Sequence, residues 1–291
     1  MITFRLLIHQ LKIGGKPIEN YSFESNFSLN IMIQETAFSK IELPSRTKKP
    51  RSIGVTMMID WGIPLNHQLD VLEISSDYID MAKIAGTIAG LIPKRKLKEK
   101  LSAYHSFDIS TSQGGLYFEY AYLKNQVEPF FEEIKSLGFS AIEVSDNLLS
   151  WNLDEKRRTI QLAINNFGLK VLGEVGRKDE TLSNDFIIQD IAACLDAGAA
   201  AVFIEAYELF PDGEARHDLI AQIFKRFPKE KIIFELPVIV LPDITRNFKH
   251  KISTWMISEF GADVNLANVE SDEILMTEML RTRTGDNLIV E

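Results

Sequence analysis

Short apolar runs alternate along this chain with longer stretches whose apolar positions recur every three or four residues. The short runs are SIGVTMMID (52–60), YIDMAKIA (78–85), FDISTS (107–112), AIEVS (141–145), LKVLGEV (169–175), AAVFIEA (200–206), KIIFELP (231–237) and ADVNLAN (262–268). Runs of this length and β-branched content suit strands buried on both faces. Between them LNHQLDVLEIS, KRKLKEKLSAY, QVEPFFEEIKSLG, DEKRRTIQLAINNFG, DFIIQDIAACLDAG, ARHDLIAQIFKRF, HKISTWMISEFG and SDEILMTEMLR read as amphipathic helices. Gly138, Gly168, Gly198 and Gly261 supply the usual stop after a helix, while Leu153-Asp154 and Ser271 mark starts. Eight strand–helix alternations require a parallel sheet, because parallel strands need long crossovers. Eight units favour closure, so the expected fold is α/β, a (β/α)8 TIM barrel over residues 52–291. Residues 1–51 form an N-terminal extension without the alternation, ending in the basic stretch LPSRTKKPRS. Met32 within it is an alternative start. No GxGxxG follows the first strand, which argues against a dinucleotide-binding sheet.

Four successive strands end in glutamate: Glu143, Glu174, Glu205 and Glu235, at intervals of 31, 31 and 30 residues, and a further 30 reaches Asn265. This period is one βα unit. Side chains alternate across a strand, so Ile142 and Val144 face the helices while Glu143 and Ser145 face the barrel axis. Glu174, Glu205, Glu235 and Asn265 fit the same inward register. The carboxyl edge of a parallel barrel is where active sites are built, and gathered carboxylates need a cation or a proton. No histidine or cysteine accompanies them, so Mg²⁺ held by oxygen ligands is the natural occupant. Asp60 closes the first strand and Lys83 lies near the end of the second. After the third come Gly114-Gly115, suited to bringing backbone N–H groups to an anion, and then Glu119. Arg177-Lys178 follow the fifth strand. Arg281 and Arg283 follow the eighth, where barrels often bind phosphate.

The balance of 32 basic and 41 acidic residues gives a net charge of −9, which argues against nucleic-acid binding through overall charge. No run reaches the roughly 18 apolar residues of a membrane span. The first residues, MITFRLLIHQLK, lack a cleavage site, so a soluble cytoplasmic protein is expected. Cys194, the single cysteine, lies in an apolar helical pattern and reads as core. His67, His105, His217 and His250 have no ligand spacing, and Trp151 and Trp255 read as packing residues.

The segments GVTMMIDWG (54–62), DYIDMAK (77–83), GGLYFEYAY (114–122), LGFSAIEVSDN (137–147), GLKVLGEVGRKD (168–179), FIEA (203–206), IIFELP (232–237) and GADVNLANV (261–269) resemble the phosphosulfolactate synthase family. The resemblance implies the same barrel and Mg²⁺-dependent addition of sulfite to phosphoenolpyruvate, a carbon–sulfur lyase reaction on the route to coenzyme M. It implies Lys83, Glu119 and Asp60 as catalytic groups, with Lys83 protonating carbon. Gly114, Gly115, Ser145, Arg177, Lys178, Asn265 and Arg281 would bind the substrate anions. The metal would draw on Glu143, Asp146, Glu174, Glu205 and Glu235, with Glu143, Glu174 and Glu205 as the inner set and Asp146 acting through water. Partners are then small anions, with a homo-oligomer compatible and neither nucleic acid nor membrane involved. Trp61 and Tyr207 stand where the family carries cations, Asn147 where it has glycine, and Leu116 where it has threonine. KIAG (83–86) and NLL (147–149) are closer to the plant heat-stress-associated 32-kDa branch. The departures leave two alternatives, a same-barrel enzyme with a changed small anionic substrate and a non-catalytic stress-related barrel.

Overall fold

The computed structural model describes residues 36–149, 151–177 and 181–285. The chain divides after Glu42. On the first side the described residues 36–42 form a turn, closed by the Ile41 N–H donating to the Phe38 carbonyl at 2.8 Å. Leu43–Glu291 is a closed eight-stranded barrel. Its strands are β1 Thr56–Asp60, β2 Met81–Ile84, β3 Ser110–Gln113, β4 Ala141–Val144, β5 Val171–Val175, β6 Ala201–Ile204, β7 Ile232–Glu235 and β8 Leu266–Val269. Every neighbouring pair is parallel, and β8 closes onto β1.

The helices are α1 Leu65–Ser75, α2 Lys94–Ser106, α3 Gly115–Leu123, α4 Val127–Leu137, α5 Leu153–Phe167, α6 Asn184–Asp196, α7 Ala206–Leu209, α8 His217–Arg226, α9 Arg246–Phe260 and α10 Ile274–Arg281. Asn152, Ser183 and Thr245 cap α5, α6 and α9 with side-chain oxygens. The periodicity of the chain places all of these except α3 and the single turn α7. The segment GLYFEYAYL is apolar on every side, so no helical stripe announces α3.

Strand alternation sorts the core into two layers. Met57, Met81, Leu172, Phe203 and Ile233 fill the barrel axis. Met58, Ile84, Ile142, Val144, Val175, Ile204 and Phe234 pack outward against the helices. Burial of this apolar surface is the main force holding the barrel closed.

Polar groups seal the amino edge. The Asn265 amide donates to the Lys229 and Ile232 carbonyls and accepts from the Val55 N–H at 2.8 Å. Arg281, also buried, donates to the carbonyls of Ala262, Val264 and Val55 and to Thr56 Oγ1. Burial and the neighbouring Arg46 push its pKa down to about 9. Residues 43–51, expected with the extension, also bond here. Arg51 grips Asp80 at 2.7 and 2.9 Å, and Lys49 donates to the Ser76 and Phe107 carbonyls.

Candidate active site

Lys83 leaves β2 pointing along the barrel axis and sits over the Phe203 ring, 4.7 Å from its centroid. Its ammonium lies 3.0 Å from Glu143 Oε2 and donates to Glu235 Oε1. Burial alone would lower the lysine pKa, but Glu143, Glu235 and Glu174 outweigh it and hold the pKa above its ordinary value. Lys83 is therefore charged. Glu143 also accepts from Ser112 Oγ at 2.8 Å and from the Gly115 N–H at 3.2 Å. Burial outweighs these partners and raises its pKa.

Glu174, Glu205 and Glu235 are all buried, and one carboxylate oxygen from each lies within 4.8 Å of the other two. Glu143 stands opposite Leu172 and Glu174 opposite Phe203, so Glu174 and then Glu205 each lie two residues beyond the preceding glutamate in register. The trio thus contains Glu235 where the expected inner set has Glu143. Asn147 orients Glu174, donating to its Oε1 at 2.7 Å. An all-carboxylate, fully buried cluster fits a hard divalent cation.

The other expected residues divide into supports and residues placed elsewhere. Glu119 receives Ser145 Oγ, the Asn147 N–H at 3.1 Å and the Leu148 N–H at 2.9 Å, so it shapes the loop after β4. Gly115 begins α3 against that loop. A Cβ there would stand 2.6 Å from Ser145 Cβ and 2.8 Å from Glu174 Oε2. Gly115→Ala is accordingly expected to cost about 1–3 kcal/mol of stability through overpacking, read by urea denaturation. Unchanged stability would show that the contact is not tight. Gly114 precedes it as the extended cap of α3. Asp146 turns away from the axis and pairs with Lys156 at 2.8 Å. Arg177 donates from its guanidinium to the Leu149 carbonyl at 3.2 Å. Lys178 lies outside the described residues.

Asp60, expected as a catalytic group at the end of β1, lies off the axis. It faces the helices, accepting from the N–H groups of Gly62 and Ile63, from the Tyr104 hydroxyl at 2.7 Å, and pairing with Lys100 at 2.8 Å. Alternation dictates this, because Met57 and Asp60 fall on opposite faces of β1. Arg281 and Asn265 lie at the amino edge, away from the carboxylates. A helix returning from the carboxyl edge carries its last residue, Arg281, back to the opposite end. In the last unit Glu235 stands opposite Ala267, two residues beyond Asn265.

Four functional neighbours escaped the sequence reading as site residues: Ser112, Asn147, Lys156 and Glu208. Lys156 carried a signal, since it occupies the apolar stripe of α5 with Thr159, Ile160 and Ala163. Glu208 accepts from the N–H groups of Arg177 and Leu182 and from Arg216 at 2.9 Å, which anchors the segment after β5. Gly176, at φ 113°, begins that segment, and a Cβ there would lie 2.9 Å from Glu205 Cβ.

The family described as (2R)-phospho-3-sulfolactate synthase (ComA) matches residues 44–286. The chain belongs to the phosphosulfolactate synthase family. A phosphosulfolactate synthase of Methanothermobacter thermautotrophicus is 35% identical over 257 residues, covering 84% of this chain and 95% of the relative. That of Methanocaldococcus jannaschii is 35% identical over 239 residues, covering 78% and 90%. The heat-stress-associated 32 protein of Arabidopsis thaliana is 27% identical over 271 residues, covering 83% and 90%. Both resemblances expected from the motifs are thus present, and the family is one of enzymes acting on small molecules. No helix among the described residues is long and apolar enough to cross a membrane.

Proposed function

We propose that this phosphosulfolactate synthase relative adds sulfite to phosphoenolpyruvate with the aid of Mg²⁺. The observation that carries the reading is the buried trio Glu174, Glu205 and Glu235 beside a charged Lys83. These three carboxylates would hold the metal. When bound, it supplies a Lewis acid for developing oxyanion charge on the substrate. Sulfite sulfur bonds to the methylene carbon as the double-bond electrons move toward the adjacent carbon and its carboxylate. Lys83 gives a proton to that adjacent carbon, and the phosphate ester stays intact. Glu143 and Glu235 keep the lysine charged and aimed along the axis. Ser112 and the Gly115 N–H fix Glu143, while Asn147 fixes Glu174. Arg177 and Lys178 are assigned to the substrate anions. A cytoplasmic setting and a role ahead of coenzyme M accompany this reading.

Glu174→Gln retains the size of the side chain and removes a charge. Mg²⁺ affinity measured by calorimetry is expected to fall at least about tenfold, the order seen when metal-site partners are lost. Calorimetry finding no Mg²⁺ binding to the unaltered protein would reject the metal assignment. Sulfite-dependent consumption of phosphoenolpyruvate tests the reaction itself. A second reading, the same barrel with another small anionic substrate, is favoured by Trp61 and Tyr207. Trp61 Nε1 donates to Glu270 at 3.1 Å, and Tyr207 is 43% exposed, where the family resemblance implies cations. Mg²⁺ binding without phosphoenolpyruvate consumption would select that reading.

A further inference from the structure

The last strand of the barrel is irregular. The pairing of β1 with β8 advances two positions from Thr56 to Met58 but three from Leu266 to Val269. The extra residue makes a β-bulge, and Asn268 lies in it with φ 60°. That left-handed conformation is costly for a residue with a side chain, less so for asparagine than for most. Ala267 belongs to the axial layer, whereas Leu266 and Val269 both belong to the outer one. Unbroken alternation from Leu266 would have turned Val269 inward. Bulges gather beside active sites, where they re-aim side chains or end a pairing.

The side chain at the bulge also has a partner. Glu235 stands opposite Ala267, and the next residue, Leu236, is held from both sides. Its N–H donates to the Ala267 carbonyl at 3.1 Å, and its carbonyl accepts from Asn268 Nδ2 at 3.3 Å. A side-chain amide therefore continues the ladder where the bulge interrupts it. The Asn268 carbonyl in turn accepts from the buried Lys249 ammonium at 2.6 Å, which fixes the bulge itself. Through Leu236 this clamp reaches Glu235, the last residue of β7 and one of the three clustered carboxylates. We propose that Asn268 is a positioning residue, whose amide holds the end of β7 so that Glu235 meets Glu174 and Glu205. The assignment rests on the metal reading of that trio given above.

Glycine and alanine at this position separate the two roles of the residue. Glycine adopts positive φ freely, alanine does not, and neither carries an amide. Asn268→Gly is expected to keep the urea midpoint close to that of the parent but to lower Mg²⁺ affinity in calorimetry about tenfold, the low end of losses when a ligand's support is removed. Asn268→Ala should show the same loss of affinity together with a lower urea midpoint. Parental Mg²⁺ affinity in Asn268→Gly overturns the proposal, because the asparagine would then serve only its φ. A urea midpoint lowered as far in Asn268→Gly as in Asn268→Ala also overturns it, since the amide would then hold the fold rather than the carboxylate. If the parent binds no Mg²⁺, the metal reading fails by itself, and crystal structures of the parent and Asn268→Gly decide the role of Asn268. A Glu235 carboxylate displaced by more than about 0.5 Å, the tolerance of a preorganised site, supports the assignment. A carboxylate left in place overturns it.

Discussion

Lys156→Met is expected to destabilise the barrel by about 3–5 kcal/mol, the usual cost of breaking a buried ion pair by removing one partner. Lys156 is fully buried on α5, with its ammonium 2.8 Å from Asp146 and 2.8 Å from Asp190. It also donates to the Glu174 carbonyl at 2.7 Å, joining α5, α6 and the end of β5. Methionine keeps the stem and removes the charge, so two carboxylates face each other in an apolar layer. Burial already pushes the Asp190 pKa up to about 6 from 3.8, against the opposing pull of Lys156. A carboxyl whose folded pKa lies above its unfolded value holds more protons when folded. Its contribution is present below pH 3.8 and lost as pH rises through about 6. Without Lys156 that window extends upward, so the variant should lose further stability between pH 6 and 8 where the parent does not. Urea denaturation across pH measures both effects. Adding Asp190→Asn should restore part of the loss. A change under about 1 kcal/mol would place this pair among weakly coupled surface contacts and refute the argument.

Under the proposed reaction, Lys83→Gln is expected to reduce sulfite addition by roughly 10²–10⁴-fold, the span attributed to a positioned proton donor. Mg²⁺ binding should persist, because the lysine is a cation and its removal lessens repulsion of the metal. The contrast with Glu174→Gln, which lowers Mg²⁺ affinity, separates the two roles. Turnover is compared at saturating Mg²⁺ and below the melting range of each variant, since Glu143 and Glu235 lose a counter-ion. Turnover within about threefold of the parent would remove Lys83 from the chemistry, a loss too small for proton transfer.

The eight strand–helix units were legible because their signals are local. Apolar alternation, helical stripes and terminal glycines are read within one element, and each of the eight strands appears where its run predicts. The inward direction of Glu143, Glu174, Glu205 and Glu235 was equally legible, since alternation within a strand requires no knowledge of its neighbours. The departures begin where two elements must be compared. Glu235 rather than Glu143 joins Glu174 and Glu205, a choice that the even spacing along the chain does not make. The antiparallel return of α10 sends Arg281 to the amino edge, and pairing of β7 with β8 leaves Asn265 there too. Asp60 lies one position past an inward residue and so meets Tyr104 and Lys100 on α2. The place of Lys156 in the apolar stripe of α5 is legible, but its two aspartate partners, Asp146 and Asp190, come from other elements and are not. Period and alternation are properties of a segment, whereas counter-ions and ligand sets depend on how far each segment slides against the next.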